Sequence, residues 1–119
     1  MAKSYEELVA EAKAETEQAN VETVHDALSS GEDITIVDVR EHDEYEVEHI
    51  PEAKLIPRGM LEPQAAEQLP DKDARIVTHC GAGGRGSLAA KSLKEMGYTN
   101  VTNLEGSLTA WRERGYETE

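Results

Sequence analysis

The chain has 119 residues, 38% of them hydrophobic, and sets 12 Lys and Arg against 25 Asp and Glu, for a formal net charge of −13 at pH 7. One domain is expected at this length, and so negative a surface disfavours binding to nucleic acid or to an anionic membrane. No apolar run reaches the roughly 18 to 20 residues that cross a bilayer, and the acidic N-terminal segment does not resemble a secretory signal, so the sequence predicts a cytoplasmic protein. The single cysteine, Cys80, excludes an intrachain disulfide and the metal centres built from several cysteines.

Predicted helices and strands alternate along the chain. Apolar and capping patterns predict helices at residues 5–17, 21–28, 41–47, 62–68, 87–96 and 108–114, and strands at residues 34–39, 53–56, 75–78 and 100–104. The run from Ile34 to Val39 is β-branched and mostly apolar, which is typical of a strand buried on both faces of a parallel sheet. We therefore expect an α/β fold with a central parallel sheet of four or five strands flanked by helices. Residues 1–20 are expected to form a helical extension packed on a domain of residues 21–119.

One segment carries an unusual pattern, a strand followed by a cysteine, a glycine-rich turn and a helix, written IVTHCGAGGRGSLAA from residue 76 to residue 90. This pattern places Cys80 at the carboxyl end of a strand, where α/β folds place their sites. The turn allows backbone N–H groups to converge, and the helix that follows adds the positive end of its dipole, so an anion is stabilised there. A thiolate is such an anion, and we expect Cys80 to act as a nucleophile.

The simpler interpretation is that Cys80 is a small buried hydrophobic residue, as most lone cysteines are. Four glycines and Arg85 within the next six positions argue against it, because so much glycine costs backbone entropy without adding packing. The turn is therefore expected to bind something.

Three kinds of anion site fit such a turn. Gly81, Gly83 and Gly86 match the dinucleotide pattern G-x-G-x-x-G, but the residues after Glu105 are too few for the remaining strands of that fold. A cysteine phosphatase or arsenate reductase needs five residues between its cysteine and its arginine, and this chain has four. A shorter loop fits a single extra sulfur on Cys80, which favours persulfide chemistry.

The whole pattern resembles the single-domain rhodanese, or sulfurtransferase, family from about Val21 to Glu117. The landmarks that carry the resemblance occur in the family's order: Val37-Asp38-Val39-Arg40-Glu41, Glu44-Tyr45, His49-Ile50-Pro51-Glu52-Ala53 with Ile56-Pro57-Arg58-Gly59, the Cys80 to Arg85 loop, Gly97-Tyr98 with Asn100-Val101, and Leu104-Glu105-Gly106 with Ala110-Trp111. The chain departs from the family's pattern at Glu48, Glu52 and Ser107, where the family often has glycine, and at Gly86, where it often has serine.

The resemblance implies that sulfur moves from a donor such as thiosulfate to a thiol or cyanide through a persulfide on Cys80. It implies a substrate-binding loop of Gly81, Ala82, Gly83, Gly84 and Arg85, in which Arg85 orients the donor or closes the loop through a carboxylate. Asp38 and Arg40 are expected to form supporting charged contacts, and Arg58 to line the mouth of the site.

The expected partners are a small sulfur donor and a thiol acceptor, which includes a thioredoxin-like protein or another protein thiol, with no nucleic acid and no membrane. His49 and His79 are expected to serve structure and not catalysis, and we expect no metal and no cofactor. The alternative to an enzyme is a non-enzymatic rhodanese-like module that carries sulfur or binds a protein partner.

Overall fold

The computed structural model describes residues 2–119 as a five-stranded parallel sheet flanked by helices, which confirms the predicted α/β fold. The helices are α1 (Tyr5–Glu15), α2 (Val21–Ser29), α3 (His42–Val47), α4 (Leu61–Gln68), α5 (Gly84–Glu95) and α6 (Ser107–Glu113), and a 3-10 turn lies at Arg58–Met60. The strands are β1 (Glu17–Ala19), β2 (Thr35–Asp38), β3 (Lys54–Leu55), β4 (Ile76–His79) and β5 (Val101–Leu104).

The strands lie in the order β1-β5-β4-β2-β3 and all pair in parallel. The central strand is β4, and its last residue, His79, pairs in register with Asp38 at the end of β2. Because parallel strands end at one edge of the sheet, the segments that follow β2, β4 and β5 meet there. Cys80 therefore emerges in the middle of this edge.

Two apolar cores cover the two faces of the sheet. Val37, Val39 and Ile76 point to one face, where α4 and α5 pack with residues such as Leu61 and Leu93. The opposite core is formed by apolar residues of β2, β4, α2 and α6, among them Ile36, Val77, Val24, Leu108 and Trp111. Side chains alternate between faces along a strand, which explains why a continuous apolar run such as Ile36-Val37 is buried on both sides.

The N-terminal segment differs from the prediction. A helix was expected over residues 5–17, but α1 ends at Glu15 and Glu17–Ala19 form β1, which pairs with β5 at the edge of the sheet. Ser4 caps the start of α1, and its hydroxyl accepts from the Glu7 N–H in a capping box. Met1, the first residue of the predicted extension, lies outside the described residues.

Helix α5 begins earlier than predicted. Its first residue is Gly84 and not Ser87, so the end of the glycine-rich turn already forms the first turn of the helix. Gly83 lies before it with a φ of 119°, in the left-handed region that glycine adopts without strain. Across residues 2–119, no helix is both long enough and apolar enough to traverse a membrane.

Candidate active site

Cys80 lies at the carboxyl end of β4 with 2% of its surface exposed, and its thiol is free. Its Sγ accepts a hydrogen bond from the Gly83 N–H at 3.1 Å, so the turn curls back over the sulfur. We call residues 80–85 the Cys80 loop. Only four residues separate Cys80 from Arg85, and the loop accordingly closes around the sulfur atom itself.

Helix α6 holds the carbonyl groups of the Cys80 loop. The N–H of Leu108 donates to the Cys80 carbonyl at 3.1 Å, and the N–H of Thr109 donates to the Gly81 carbonyl at 3.0 Å. Because the C=O and N–H of a trans peptide point in opposite directions, the next N–H groups, those of Gly81 and Ala82, point away from α6. The loop is therefore preorganised with donors on its free side, where a sulfur anion would be stabilised.

The hydroxyl of Ser107, at the start of α6, lies against Cys80. It accepts a hydrogen bond from the Cys80 N–H at 3.1 Å and lies 3.9 Å from Sγ. Ser107 was identified in the sequence only as a departure from glycine, and nothing in the spacing predicted that its side chain reaches a residue 27 positions away.

Arg85 turns its side chain across the loop to α3. Its Nη1 and Nη2 donate to the two carboxylate oxygens of Glu44 at 2.8 and 3.1 Å. The hydrogen bond from Arg85 lowers the pKa of Glu44 to about 2, with a further contribution from the Glu41 N–H and against the opposing effect of burial. Two roles were expected for Arg85, and its contact in the structure corresponds to the second, in which it closes the loop through a carboxylate.

Asp38 and Arg40 form a buried ion pair close to the contact between Arg85 and Glu44. The Arg40 Nη2 donates to Asp38 Oδ2 at 2.8 Å, and the guanidinium also donates to the carbonyls of Glu44 and Glu48. The pair therefore ties α3 to the end of β2 and, through Glu44, supports the position of Arg85. Asp38 and Arg40 make the charged contacts expected of supporting residues and do not touch Cys80.

His79 lies between this pair and the Cys80 loop and is fully buried. Its Nδ1 lies 3.0 Å from the Cys80 carbonyl, which accepts, so Nδ1 carries the proton and Nε2 faces Asp38 Oδ2 at 3.6 Å. Burial lowers the pKa of His79 against the opposing charge of Asp38. The neutral ring therefore supports the backbone of Cys80 and leaves the sulfur on the other side of the strand.

Arg58 makes its side-chain contacts with α4 and α5, and its expected place at the mouth of the site stays a prediction. Its guanidinium donates to Glu62 at 2.8 Å and to Ser92 Oγ at 3.1 Å. Ser92 lies about two turns along α5 from the Cys80 loop. The i, i+4 spacing of Arg58 and Glu62 was a signal in the sequence that could have predicted this pair.

Gly84 and Gly86 are in tight surroundings on opposite sides of α5. A Cβ at Gly84 would collide with the phenol of Tyr5 in α1, and one at Gly86 would collide with the buried Oδ1 of Asn103. The serine that is common in the family at position 86 does not fit beside Asn103, which accounts for this departure.

Two clefts lie away from Cys80. One, of about 590 Å³, lies between the ends of α1 and α5. The other, of about 450 Å³ and lined by His25, Ile34 and Trp111 among others, opens near the amino end of β2. We assign the candidate site to Cys80 because the Gly83 N–H donates to its sulfur at the carboxyl edge of the sheet. Within residues 2–119, no three His, Cys, Asp or Glu side chains come together as a metal-binding group.

The chain belongs to the family of proteins with a rhodanese-like domain, whose model matches residues 20–114. Among curated relatives, the putative sulfur carrier protein YrkF of Bacillus subtilis is 33% identical over 94 residues, which are 79% of this chain and 50% of that protein. A sulfurtransferase of Allochromatium vinosum is also 33% identical, over 79% of this chain and 86% of its own. The thiosulfate sulfurtransferase PspE of Escherichia coli is 37% identical over 59% of this chain and 67% of its own. The chain thus spans about half the length of the Bacillus relative.

Solved structures share the fold over nearly the entire chain. A Rhodopseudomonas palustris protein of unknown function, described as a possible tyrosine phosphatase, superposes with a TM-score of 0.90 at 31% identity, over 100% of this chain and 96% of that one. The polysulfide-sulfur transferase homodimer of Wolinella succinogenes gives a TM-score of 0.80 at 32% identity, over 93% of this chain and 83% of that one. The first of these likenesses includes the segment before residue 20, which the family model does not match. The division into residues 1–20 and 21–119 stays a prediction.

Proposed function

We propose that this protein is a sulfurtransferase in which Cys80 carries sulfane sulfur as a persulfide. The observation that carries the proposal is the hydrogen bond from the Gly83 N–H to Sγ in a loop of only four intervening residues. A loop this short suits a single added sulfur atom on Sγ. A phosphatase loop, with its fifth intervening residue, would be needed to encircle a tetrahedral oxyanion.

In the first step, the Cys80 thiolate attacks the outer sulfur of thiosulfate. An S–S bond forms to Sγ, the donor's own S–S bond breaks, and its electron pair leaves with sulfite, so the protein holds Cys80 as a persulfide anion. N–H groups of the Cys80 loop stabilise that charge. In the second step, a thiolate or cyanide attacks the outer sulfur, which leaves as a persulfide of the acceptor or as thiocyanate, and the Cys80 thiolate is regenerated.

The proposed site residues follow from these steps. Cys80 is the covalent carrier, and Gly81, Ala82, Gly83, Gly84 and Arg85 form the surrounding cradle. Asp38 and Arg40 support it through α3. The guanidinium of Arg58 is bound to Glu62 and Ser92, so we give Arg58 no direct step.

The experiment is the intact mass of the protein after thiosulfate is added and again after cyanide or a thiol is added. We expect the wild type to gain one sulfur atom and to lose it to the acceptor, and Cys80→Ser, which keeps the size of the side chain, to gain none. A Cys80→Ser protein that still takes up sulfur would contradict the proposal. So would a folded wild type that gains none from either thiosulfate or polysulfide.

A second candidate is a sulfur carrier that delivers its persulfide to a protein thiol, such as that of a thioredoxin-like protein, without rapid turnover of small substrates. The Bacillus relative named as a putative sulfur carrier favours it. Thiocyanate formation under excess thiosulfate and cyanide separates the two candidates. An enzyme continues for many cycles, whereas a carrier loads once and then needs its protein acceptor.

A further inference from the structure

Ser107 has a backbone conformation that suits glycine better than serine. Its φ is 49°, directly after Gly106 with a φ of 75°, so two successive residues are left-handed at the start of α6. An L side chain adopts this region only with strain. Ser107 is also completely buried, and a polar side chain in such a place needs hydrogen-bond partners.

The hydroxyl of Ser107 makes two such bonds. It donates to the Leu104 carbonyl at 3.1 Å and accepts from the Cys80 N–H at 3.1 Å. A hydroxyl has one proton, so with that proton on Leu104 the hydroxyl does not donate to Sγ, which lies 3.9 Å away. Its effect on the sulfur is therefore exerted through the backbone of Cys80.

The Cys80 backbone is held at both of its polar groups by the start of α6. Its N–H donates to Ser107 Oγ, and its carbonyl accepts from the Leu108 N–H at 3.1 Å. Fixing the two peptide planes on either side of Cα fixes the direction of the Cα–Cβ bond. With Cβ held there, the rotamer that Cys80 adopts places Sγ 3.1 Å from the Gly83 N–H.

We propose that Ser107 is a positioning residue for the Cys80 nucleophile, and that its hydroxyl holds the Cys80 backbone where Sγ meets the Gly83 N–H. The proposal rests on the proposed function in one respect, that the nucleophile which Ser107 positions is the sulfur carrier. The thiolate gains from the Gly83 donor, so loss of the Ser107 hydroxyl makes Cys80 less nucleophilic at neutral pH while the fold remains.

The test is the rate of alkylation by iodoacetamide against pH, which reports one site because Cys80 is the single cysteine. Ser107→Gly removes the hydroxyl and relieves the left-handed strain, and Ser107→Ala removes the hydroxyl and keeps Cβ. Ser30→Ala is the control, since it removes a hydroxyl that donates to the Asp26 carbonyl at the end of α2 and makes no contact with the Cys80 loop.

We expect both Ser107 variants to be alkylated about three- to tenfold more slowly at pH 6.5, the range that one hydrogen bond supplies. Their pH midpoints should move upward, with rates that converge on the wild type at high pH, and Ser30→Ala should follow the wild-type profile. Thermal unfolding of each variant should show one cooperative transition above the assay temperature, so that the rates are those of a folded protein.

A pH profile of Ser107→Gly that superimposes on the wild type would overturn the proposal, as would an Ala variant with the wild-type midpoint beside a shifted Gly variant. The latter outcome would assign the effect to Cβ and not to the hydroxyl. Alkylation needs no sulfur transfer. If the wild type takes up no sulfur, the proposed function is wrong. The alkylation rates would still decide whether Ser107 positions Cys80.

Discussion

The guanidinium of Arg85 and the carboxylate of Glu44 form a two-point ion pair that joins the Cys80 loop to α3. Arg85 lies at the end of the loop, and Glu44 belongs to a helix that the buried Arg40 ties to the sheet. The geometry of the loop therefore depends on a helix that is far from it in sequence.

Glu44→Gln should slow sulfur loading of Cys80 without unfolding the protein. Gln keeps the side-chain oxygen that accepts from the Glu41 N–H in the capping box of α3, so the change removes the charge facing Arg85. We expect loading about three- to tenfold slower, measured by intact mass at short times, as is usual when a partly exposed ion pair and its hydrogen bonds are weakened. Glu46→Gln, on the exposed face of the same helix, is the control and should load at the wild-type rate.

The same carboxylate predicts a dependence of stability on acid. The pKa of Glu44 in the folded protein is about 2, below its ordinary value of 4.5. Its contribution to stability is therefore fully present above pH 4.5 and is lost as the pH falls from there towards 2. Urea unfolding at pH 6, 4 and 3 should show the wild type and Glu44→Gln converging as the pH falls, and a constant gap would contradict this assignment.

His79 predicts a second change, closer to neutral pH. Burial lowers its pKa below 6.5, so the neutral ring contributes stability that is present above pH 6.5 and lost as the pH falls below it. The free energy of unfolding should decrease between pH 7.5 and 5.5 in the wild type and less steeply in His79→Asn. His42→Asn, which removes an exposed histidine, should keep the wild-type slope. Equal slopes in all three proteins would count against a buried neutral His79.

Gly86→Ala should destabilise the fold more than Gly84→Ala. The new methyl group at position 86 meets the buried Oδ1 of Asn103 and the backbone of His79, neither of which can move easily. Overpacking of this kind costs about 1 to 3 kcal/mol. At position 84 the methyl meets mainly the Tyr5 ring, which is 53% exposed and free to turn away. Chemical denaturation measures the loss of stability in both variants. An equal or smaller loss in Gly86→Ala would show that Asn103 can move aside.

Arg40→Met should cost far more stability than Arg75→Met. The Arg40 side chain is 5% exposed beside a fully buried Asp38, and removing one partner of a buried pair typically costs about 3 to 5 kcal/mol. Arg75 pairs with the exposed Glu32 at the surface, where such pairs contribute about 0 to 1 kcal/mol. Urea unfolding measures the free energy of unfolding of both variants. Similar losses of stability in the two would contradict this account.

The sequence predicted the fold wherever a local pattern was decisive. The apolar run at residues 34–39 and the helical pattern at residues 21–28 correspond to β2 and α2. Strand β1 was missed because Glu17–Ala19 is short and polar. It also pairs with β5, which is distant from it in sequence. A cytoplasmic location stays a prediction of the sequence.

At the site, the sequence placed Cys80, the surrounding turn and Arg85 together because they are contiguous. It did not show which carboxylate meets Arg85, where the Arg58 side chain turns, or that Ser107 reaches Cys80. These contacts depend on how separate strand ends converge, which the pattern of a single segment does not encode. The one available signal for Ser107 was its substitution for a glycine.

The pairing of β1 with β5 has a consequence for how the chain folds. The hydrogen bond from Asn103 to Gln18 spans 85 positions in sequence, so the loop that it closes is among the longest this chain can form. Contacts of such high sequence separation form slowly. Until β1 arrives, β5 is an open edge whose N–H and C=O groups are available to another chain. Loss of the N-terminal segment should therefore show itself first as self-association of folding intermediates at high protein concentration.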